Sequence, residues 1–596
     1  MILFRTETFE IDLSSYGVSL REENDLFTDS TNLNYSLPGT IDADDELLAK
    51  LGFPTVENIT NVNTAISGLL VLPDTYYKAV LYLGEVRGKS IEYDISYGAD
   101  VLTVYDRKLN TLPWPLIINT NLANYANLVK AKNWPETAFN FPMIYKPSIR
   151  EESNYEAFEG FVNNHGGTGQ SYLTNTVDNS GAEPVFYNRN VLAPCPYLLE
   201  ILRFGYSLEN KEIVGDLVEH PDLKKAVYIP EKYLERFRGS EYQNFSFKTP
   251  NTTVTENGRV FGLYETLLTP ASANTYEISY SLELDPVLAR YFEFTIVQRQ
   301  GLSQEETVLL RNFSENNRVS IEDRFSVNIA PDQTGDQIIV RLKLQYYTES
   351  IEQLTSFEYK SNGGQLNEFP SAFSLADFMP DMTFGEFENA LKNWLNLDKT
   401  IQDKYVRLDF AQNSVFKKVR VDHSHLEIPE PVVKMNSNRF YTLRYGNGDE
   451  VYINKNGQVF SSQVENGMDP VEIEMDVWPA IVESNQNVVT GVYPEDSDGL
   501  IFAFYTGVDG NGKPTCSSEL AQNFSLQNVL NDFWKTWINY RINSKSFKET
   551  FTCSIHELIR IDEISFKYNE LHILKKLSKK YISDRLQEVE IESESF

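Results

Sequence analysis

In the stretch SIEYDISY, residues 90–97, apolar and polar side chains alternate without a break. Successive side chains of an extended chain point to opposite faces, so Ile91, Tyr93, Ile95 and Tyr97 share one face and Glu92, Asp94 and Ser96 the other. A helix would scatter the same residues around its circumference; the pattern predicts a half-buried strand. The run before it, from Ala79, alternates too, and Arg87-Gly88 marks the turn between them. The same period returns in TYEISYSLEL (275–284), YFEFTIVQRQ (291–300), RVSIEDRFSVNI (318–329), QIIVRLKLQYY (337–347) and the closing EVEIESESF (588–596). RFYTLRYGNGDEVYINKNGQVF adds hairpins with turn signals at Asn447-Gly448 and Asn456-Gly457. A chain patterned this way is expected to be mainly β with short helices.

Its 596 residues are enough for roughly three to five domains of ~100–200 residues each. We expect a β-barrel-like module over 1–125 and a loop-rich connector with short helices over 126–235. A β-sandwich inserted at 236–365 and a second β-module over 366–596 complete the division. Within the first module a short helix is expected from about Asp44 to Lys50, stopped by Leu51-Gly52-Phe53-Pro54. In the connector a helix is expected over Pro196–Phe204, ended by Gly205.

The best-marked helix is FMPDMTFGEFENALKNWLNL, residues 378–397. Thr383 followed by Glu386 is the capping-box spacing, in which each side chain satisfies the other's backbone N–H. Phe384, Phe387, Leu391, Trp394 and Leu395 then form one apolar stripe, and spacing alone reads it as a helix packed on a sheet. A second aromatic helix is expected over 525–540, with Leu526, Val529, Leu530, Phe533, Trp537 and Ile538 on one face.

Composition excludes some roles. The 85 acidic against 53 basic residues give a formal charge of −32, and such a surface repels phosphate backbones, so sequence-specific nucleic-acid binding is not expected. Three distant cysteines, Cys195, Cys516 and Cys553, form neither a disulfide framework nor a zinc spacing. No apolar run approaches the ~20 residues that span a bilayer, and the charged N-terminus has no apolar core of a signal peptide.

Motifs for chemistry are sparse. DHSH places His423 and His425 on one expected strand face, a pair suited to a metal, but no third ligand is identifiable. HGGTGQ (165–170) lacks the lysine and preceding strand of a phosphate loop, and DGNGK (509–513) reads as a turn. PEDSDG (494–499) has calcium-like spacing without a closing glutamate. Nothing argues for catalysis, a cofactor or a resident metal, although a glycosidase pair would be hard to pick out among 85 acids. The 34 Tyr, 36 Phe and 6 Trp suit β-packing or, in the 236–365 sandwich, sugar stacking.

Five stretches taken in order resemble the tail hub (baseplate or tail-tip) proteins of bacteriophages that infect Bacteroidetes-type bacteria. They are EENDLFTDSTNLNYSLPGTIDADDELLAKLGFP, APCPYLLEILRFGYSLENKEIVGDLVEHPDLKKAVYIP, FMPDMTFGEFENALKNWLNL, NVLNDFWKTWINY and YNELHILKKLSKKYISDRLQEVEIESESF. The 236–360 block lies outside the resemblance, and NLDKTIQDKYVRLDF blurs it. The resemblance implies a non-enzymatic virion protein, made in the bacterial cytoplasm, that closes the tail tube as a homotrimer. Two barrel-like modules per subunit would make a pseudo-sixfold ring. Its implied partners are a tail tube or distal tail protein, a tape measure protein, and spike or fibre proteins. It would also make Phe384, Phe387, Leu391, Trp394 and Trp537 an assembly surface. The rivals are a carbohydrate-binding adhesin or receptor-binding tail protein that uses the 236–365 sandwich, and a tail-borne hydrolase.

Overall fold

A computed structural model describes the chain from Ile2 to Phe596, apart from several segments. The longer of these are 14–18, 28–35, 52–64, 461–470 and 491–498. The shorter are 73–75, 98–101, 119–120, 153, 167–170, 179–184, 238–241, 271–272, 285–289, 302–303, 316–317, 331–332, 334, 346–349, 362–364, 403, 436–439, 447, 455, 484–487 and 583–584. PEDSDG, apart from Gly499, and Gly167–Gln170 of HGGTGQ fall in these segments, as do Gly52, Phe53, Pro54 and Asn447. The described residues are mostly strand, as the alternation predicts.

The largest element is a 13-stranded sheet built from both ends of the chain. Along its main path run Glu10–Asp12, Leu3–Arg5, Ala65–Val71, Tyr76–Arg87, Ser90–Tyr97, Ser36–Asp42 and Ser19–Glu23, and then four strands from the C-terminal third. These are Glu570–Tyr581, Leu586–Ser595, Lys545–Ser554 and Val432–Met435. The two sets meet where Ser19–Glu23 pairs antiparallel with Glu570–Tyr581, in register from Ser19↔Lys580 to Glu23↔Lys576. Asn24 pins the seam: its backbone N–H donates to the Lys575 carbonyl at 2.9 Å, and its buried amide donates to the Leu574 carbonyl at 2.9 Å. Lys576 and Glu23 form an exposed ion pair across it at 2.7 Å. The inward faces of SIEYDISY and its neighbours pack on the helix Asp45–Lys50, whose Leu48 is buried with Ile91, Tyr93, Ile95 and Tyr97. Gly88, at φ +65°, makes the turn before Ser90.

The sandwich has a core of its own. A four-stranded sheet, in the order Tyr242–Phe245, Thr355–Ser361, Asn274–Leu284, Val319–Ile329, faces a five-stranded one. The latter runs Thr252–Glu256, Arg259–Leu268, Gln337–Gln345, Tyr291–Arg299, Glu306–Glu315. Tyr276, Ile278, Tyr280 and Leu282 of one sheet meet Tyr264, Phe294, Val340 and Leu342 of the other. This cluster is separate from the large core of the central body, which gathers residues from Leu26 to Ile573.

In that body the helix Phe384–Leu395 has the capping box expected at Thr383 and Glu386, and ends on left-handed Asn396 at φ 49°. One expectation is corrected here. The connector helix runs Leu198–Ser207, so Gly205 lies inside it. An added Cβ there would come 2.1 Å from Cε2 of Phe384; the glycine serves close helix packing rather than termination. The second aromatic helix is found as expected, running from Leu526 to Asn543 with a π-helical turn at Leu530–Trp534 between Leu526–Val529 and Lys535–Asn543.

Candidate functional site

The aromatic stripe is the natural place to begin. Phe384, Phe387, Leu391 and Trp394 are fully buried and Trp537 nearly so. Trp394 stacks on Phe502 with centroids 5.8 Å apart, and its Nε1 donates to the Tyr445 hydroxyl at 3.0 Å, which donates in turn to the Phe524 carbonyl at 2.8 Å. Trp537 packs edge-on to Phe27, and the Arg541 guanidinium lies 4.5 Å from the same Phe27 ring. These five side chains are covered by their own chain. The assembly-surface reading is corrected: burying such rings removes more apolar area from water inside the subunit than any contact could recover afterwards.

The same helix also carries Glu388, which is buried and paired with buried Lys399 at 3.2 Å. Lys399 also donates to the Tyr105 hydroxyl at 3.0 Å and sits 4.8 Å from that ring's centre. The Tyr206 hydroxyl donates to the other Glu388 oxygen. Burial, reinforced by the Glu388 charge, drives both phenols well above their ordinary range. The four groups satisfy one another and hold helix against strand; they leave no acid or base free for a substrate.

The histidine pair is also rearranged. Strand Arg420–Asp422 stops before it, and Ser424–Leu426 is a 3-10 turn. His423 is buried with Nδ1 2.9 Å from the Ser565 hydroxyl, whereas His425 is exposed and reaches Glu557 at 3.0 Å. Among the described residues no group of three or more His, Cys, Asp or Glu is placed to hold a metal. DGNGK is a turn, with the Asp509 N–H donating to the Lys513 carbonyl. A cavity of about 320 Å³ is lined by Asp216, Asp398, Asp409, Arg407, Lys417 and Lys418. Its acids are engaged: Asp398 by Lys418 at 3.0 Å, Asp409 by Arg407 at 2.8 Å.

The arrangement best suited to a ligand lies on the sandwich. A groove of about 460 Å³ crosses its four-stranded sheet, within the ~300–1,000 Å³ of small-molecule sites. The alternation that sends Tyr280 and Leu282 into the core sends Ser281 and Glu283 outward. Their cross-strand neighbour is Ser356, paired with Ser281. Asn244 and Ser246 come from the edge strand and its exit, and Glu352 and Leu354 from the turn Glu352–Leu354 that forms one end. Both carboxylates are partly compensated, Glu352 by Lys248 at 2.8 Å and Glu283 by the Ser320 hydroxyl and Arg318. Below, Phe245 and Phe357 stack with centroids 4.8 Å apart. The groove thus presents hydroxyls, the amides of Asn244 and Gln353, and partly compensated carboxylates over an apolar base. Sequence reasoning placed the sandwich but none of these residues, because single Ser and Asn at outward strand positions look like ordinary solvated surface.

The opposite sheet carries a row of rings on its outer face: Phe261, Tyr291 and the exposed Phe313, with centroid spacings of 4.8 and 5.4 Å. Lys343 lies over the first two at 4.9 and 5.4 Å and pairs with Glu256 at 2.7 Å.

No family model and no curated protein matches the chain. Solved structures do resemble a part of it. A carbohydrate-binding module of family 4 is 11% identical with a TM-score of 0.13, over 21% of this chain and 89% of its own. A xylan-binding module of family 15 is 9% identical with a TM-score of 0.13, over 23% and 97%. A TNF-type protein, Eiger, from S. frugiperda is 12% identical with a TM-score of 0.11, over 21% and 88%.

Proposed function

We propose that the chain is a carbohydrate-binding protein in which the inserted sandwich is the binding unit and the remaining β-modules carry it. The groove over Asn244, Ser281 and Ser356 is the observation that supports this. A sugar ring offers hydroxyls that both donate and accept. A site of hydroxyls, the amides of Asn244 and Gln353, and carboxylates partly compensated by Lys248 and Arg318 meets such groups without burying an unpaired charge. A neutral oligosaccharide fits better than an acidic one, since Glu283 and Glu352 border the groove. The test is a glycan array probed with the full-length chain, followed by calorimetry on any hit. Asn244→Ala and Ser356→Ala together are expected to weaken binding at least tenfold. Binding unchanged by that pair, or no glycan bound, would overturn the proposal.

A second reading concerns the body that carries the sandwich. The sheet shared by the two ends of the chain favours a tail hub of a bacteriophage or related injection particle, a homotrimer docking tail tube, tape measure and spike or fibre proteins. Three subunits would set three such paired strand sets around one axis. The charge of −32 suits a channel through which DNA passes without adhering. Negative-stain imaging of the purified protein tests it: a ring with an open centre is expected, and particles of single compact chains would contradict it. The two readings are compatible, as in a receptor-binding tail protein.

A further inference from the structure

We infer that Tyr242 is a positioning residue for the sugar groove: its hydroxyl sets the Asn244 amide, and its ring is held by the central body through Phe237 and Tyr155. The inference rests on the carbohydrate-binding reading and names a residue on which that site depends. Tyr242 and Asn244 lie two positions apart on the edge strand Tyr242–Phe245, so both point to the outer face of the four-stranded sheet. Asn244 is exposed, and an exposed amide that nothing holds samples several rotamers, whose loss opposes binding. Here its Nδ2 donates to the Tyr242 hydroxyl at 2.6 Å. That hydroxyl has its own acceptor in Glu358, the cross-strand partner of Asn244. Burial, reinforced by the Glu358 and Glu235 charges, raises the phenol above its ordinary range. It therefore stays protonated, donating to Glu358 while accepting from Asn244. One N–H of the amide is thus committed. Among the described residues its second N–H and its carbonyl oxygen stay available to a sugar hydroxyl, which both donates and accepts.

The ring of Tyr242 leads into the body. It packs edge-on to Phe237 with centroids 5.0 Å apart, and Phe237 lies 6.1 Å from the fully buried Tyr155. Phe237 also bridges antiparallel to Asn367, so the two crossings of the chain between body and sandwich meet at this point. Asn367 is buried and clamps them. Its amide donates to the Tyr155 hydroxyl at 3.0 Å, and its side-chain carbonyl accepts from the Arg236 N–H at 3.0 Å. Its backbone N–H donates to the side chain of buried Asn188 at 2.8 Å. Tyr155 in turn donates to Glu235 at 2.9 Å. Buried bonds of this kind resist breaking, because an orphaned polar group keeps its desolvation penalty. The crossing is therefore a firm support, and Tyr242 is the ring of the sandwich that rests on it. The sandwich keeps a core of its own, while this contact fixes the edge strand that carries Asn244.

The experiment is isothermal calorimetry of the full-length chain with the neutral oligosaccharide that binds best on a glycan array, for four variants. Asn244→Ala gives the reference loss. Tyr242→Phe keeps the ring and removes only the hydroxyl; it is expected to weaken binding roughly three- to tenfold, the worth of one hydrogen bond. Tyr242→Phe added to Asn244→Ala is expected to weaken binding by less than about twofold more, because no amide is left to position. Phe237 lies outside the groove, yet Phe237→Ala is expected to weaken binding too, with circular dichroism unchanged. Tyr242→Phe that binds like the parent overturns the positioning role and leaves the groove standing. A loss that is just as large in the Asn244→Ala background also overturns it, because Tyr242 then acts by direct contact or through folding. Parent-like binding by folded Phe237→Ala overturns the body's hold on the ring; if that variant misfolds, the other three decide the role of Tyr242. Parent-like binding by Asn244→Ala overturns the inference, while the Asn244→Ala/Ser356→Ala pair still judges the groove. No glycan bound at all overturns the carbohydrate reading and the inference with it.

Discussion

Three sites show how much one side chain decides in this fold. Gly205 sits where two helices touch, and Gly205→Ala would force its new methyl to within 2.1 Å of the Phe384 ring. Overpacking of this kind costs about 1–3 kcal/mol, measurable as a lower denaturation midpoint. Lys399 and Glu388 are 3% and 2% exposed. Lys399→Met leaves Glu388 charged, buried and unpaired, an expected loss of about 3–5 kcal/mol, and adding Glu388→Leu should return much of it. Chemical denaturation of the two variants checks the pair; equal losses in both would mean that packing rather than charge sets the cost. His572 is the third. Burial holds its imidazole at about 4, below the ordinary 6.5, between the Ser593 hydroxyl and the Lys567 carbonyl. The unfolded chain then binds more protons between those values, so stability is complete above pH ~6.5 and falls as pH drops towards 4. The shift is worth roughly 3 kcal/mol, and His572→Asn should remove that part of the acid sensitivity in a denaturation series from pH 7 to 4.

Elements differ in how openly the sequence declares them. The helix Phe384–Leu395 was legible because its cap and stripe are local. Four of the sandwich strands were legible because period two runs through TYEISYSLEL, YFEFTIVQRQ, RVSIEDRFSVNI and QIIVRLKLQYY. Gly205 looked like a stop signal, since a glycine at a close contact and a glycine at a helix end are the same letter in sequence. His423 and His425 looked like strand neighbours, yet the chain turns between Asp422 and Ser424, where the Asp422 carboxylate accepts from the Ser424 N–H at 2.9 Å. The stripe was legible as a face that packs inside the subunit, but its cover was not: Phe502, Phe524 and Tyr445 come from more than fifty residues away. The seam between the chain's ends left no local signal at all. Asn24, which ties it, is 5% exposed and bonded to the Leu574 and Lys575 carbonyls. Asn24→Ala should cost about 1–3 kcal/mol by orphaning the Leu574 carbonyl, and hydrogen exchange should show strands Ser19–Glu23 and Glu570–Tyr581 opening together.

For the whole molecule the division of labour follows from its cores. One large core unites the central body, a smaller one the N-terminal strands and their helix, a third belongs to the sandwich alone, and a fourth lies on the C-terminal strands. A sandwich with a separate core can present a groove without disturbing the body, which is the arrangement that carries the carbohydrate-binding proposal. The most direct measurement is calorimetric titration of the full-length chain with a neutral oligosaccharide identified on a glycan array, repeated with Asn244→Ala/Ser356→Ala. Binding by the parent chain that falls at least tenfold in the variant, with the sandwich still folded by circular dichroism, is the predicted result. Equal affinity in both would place the sugar elsewhere and contradict the groove.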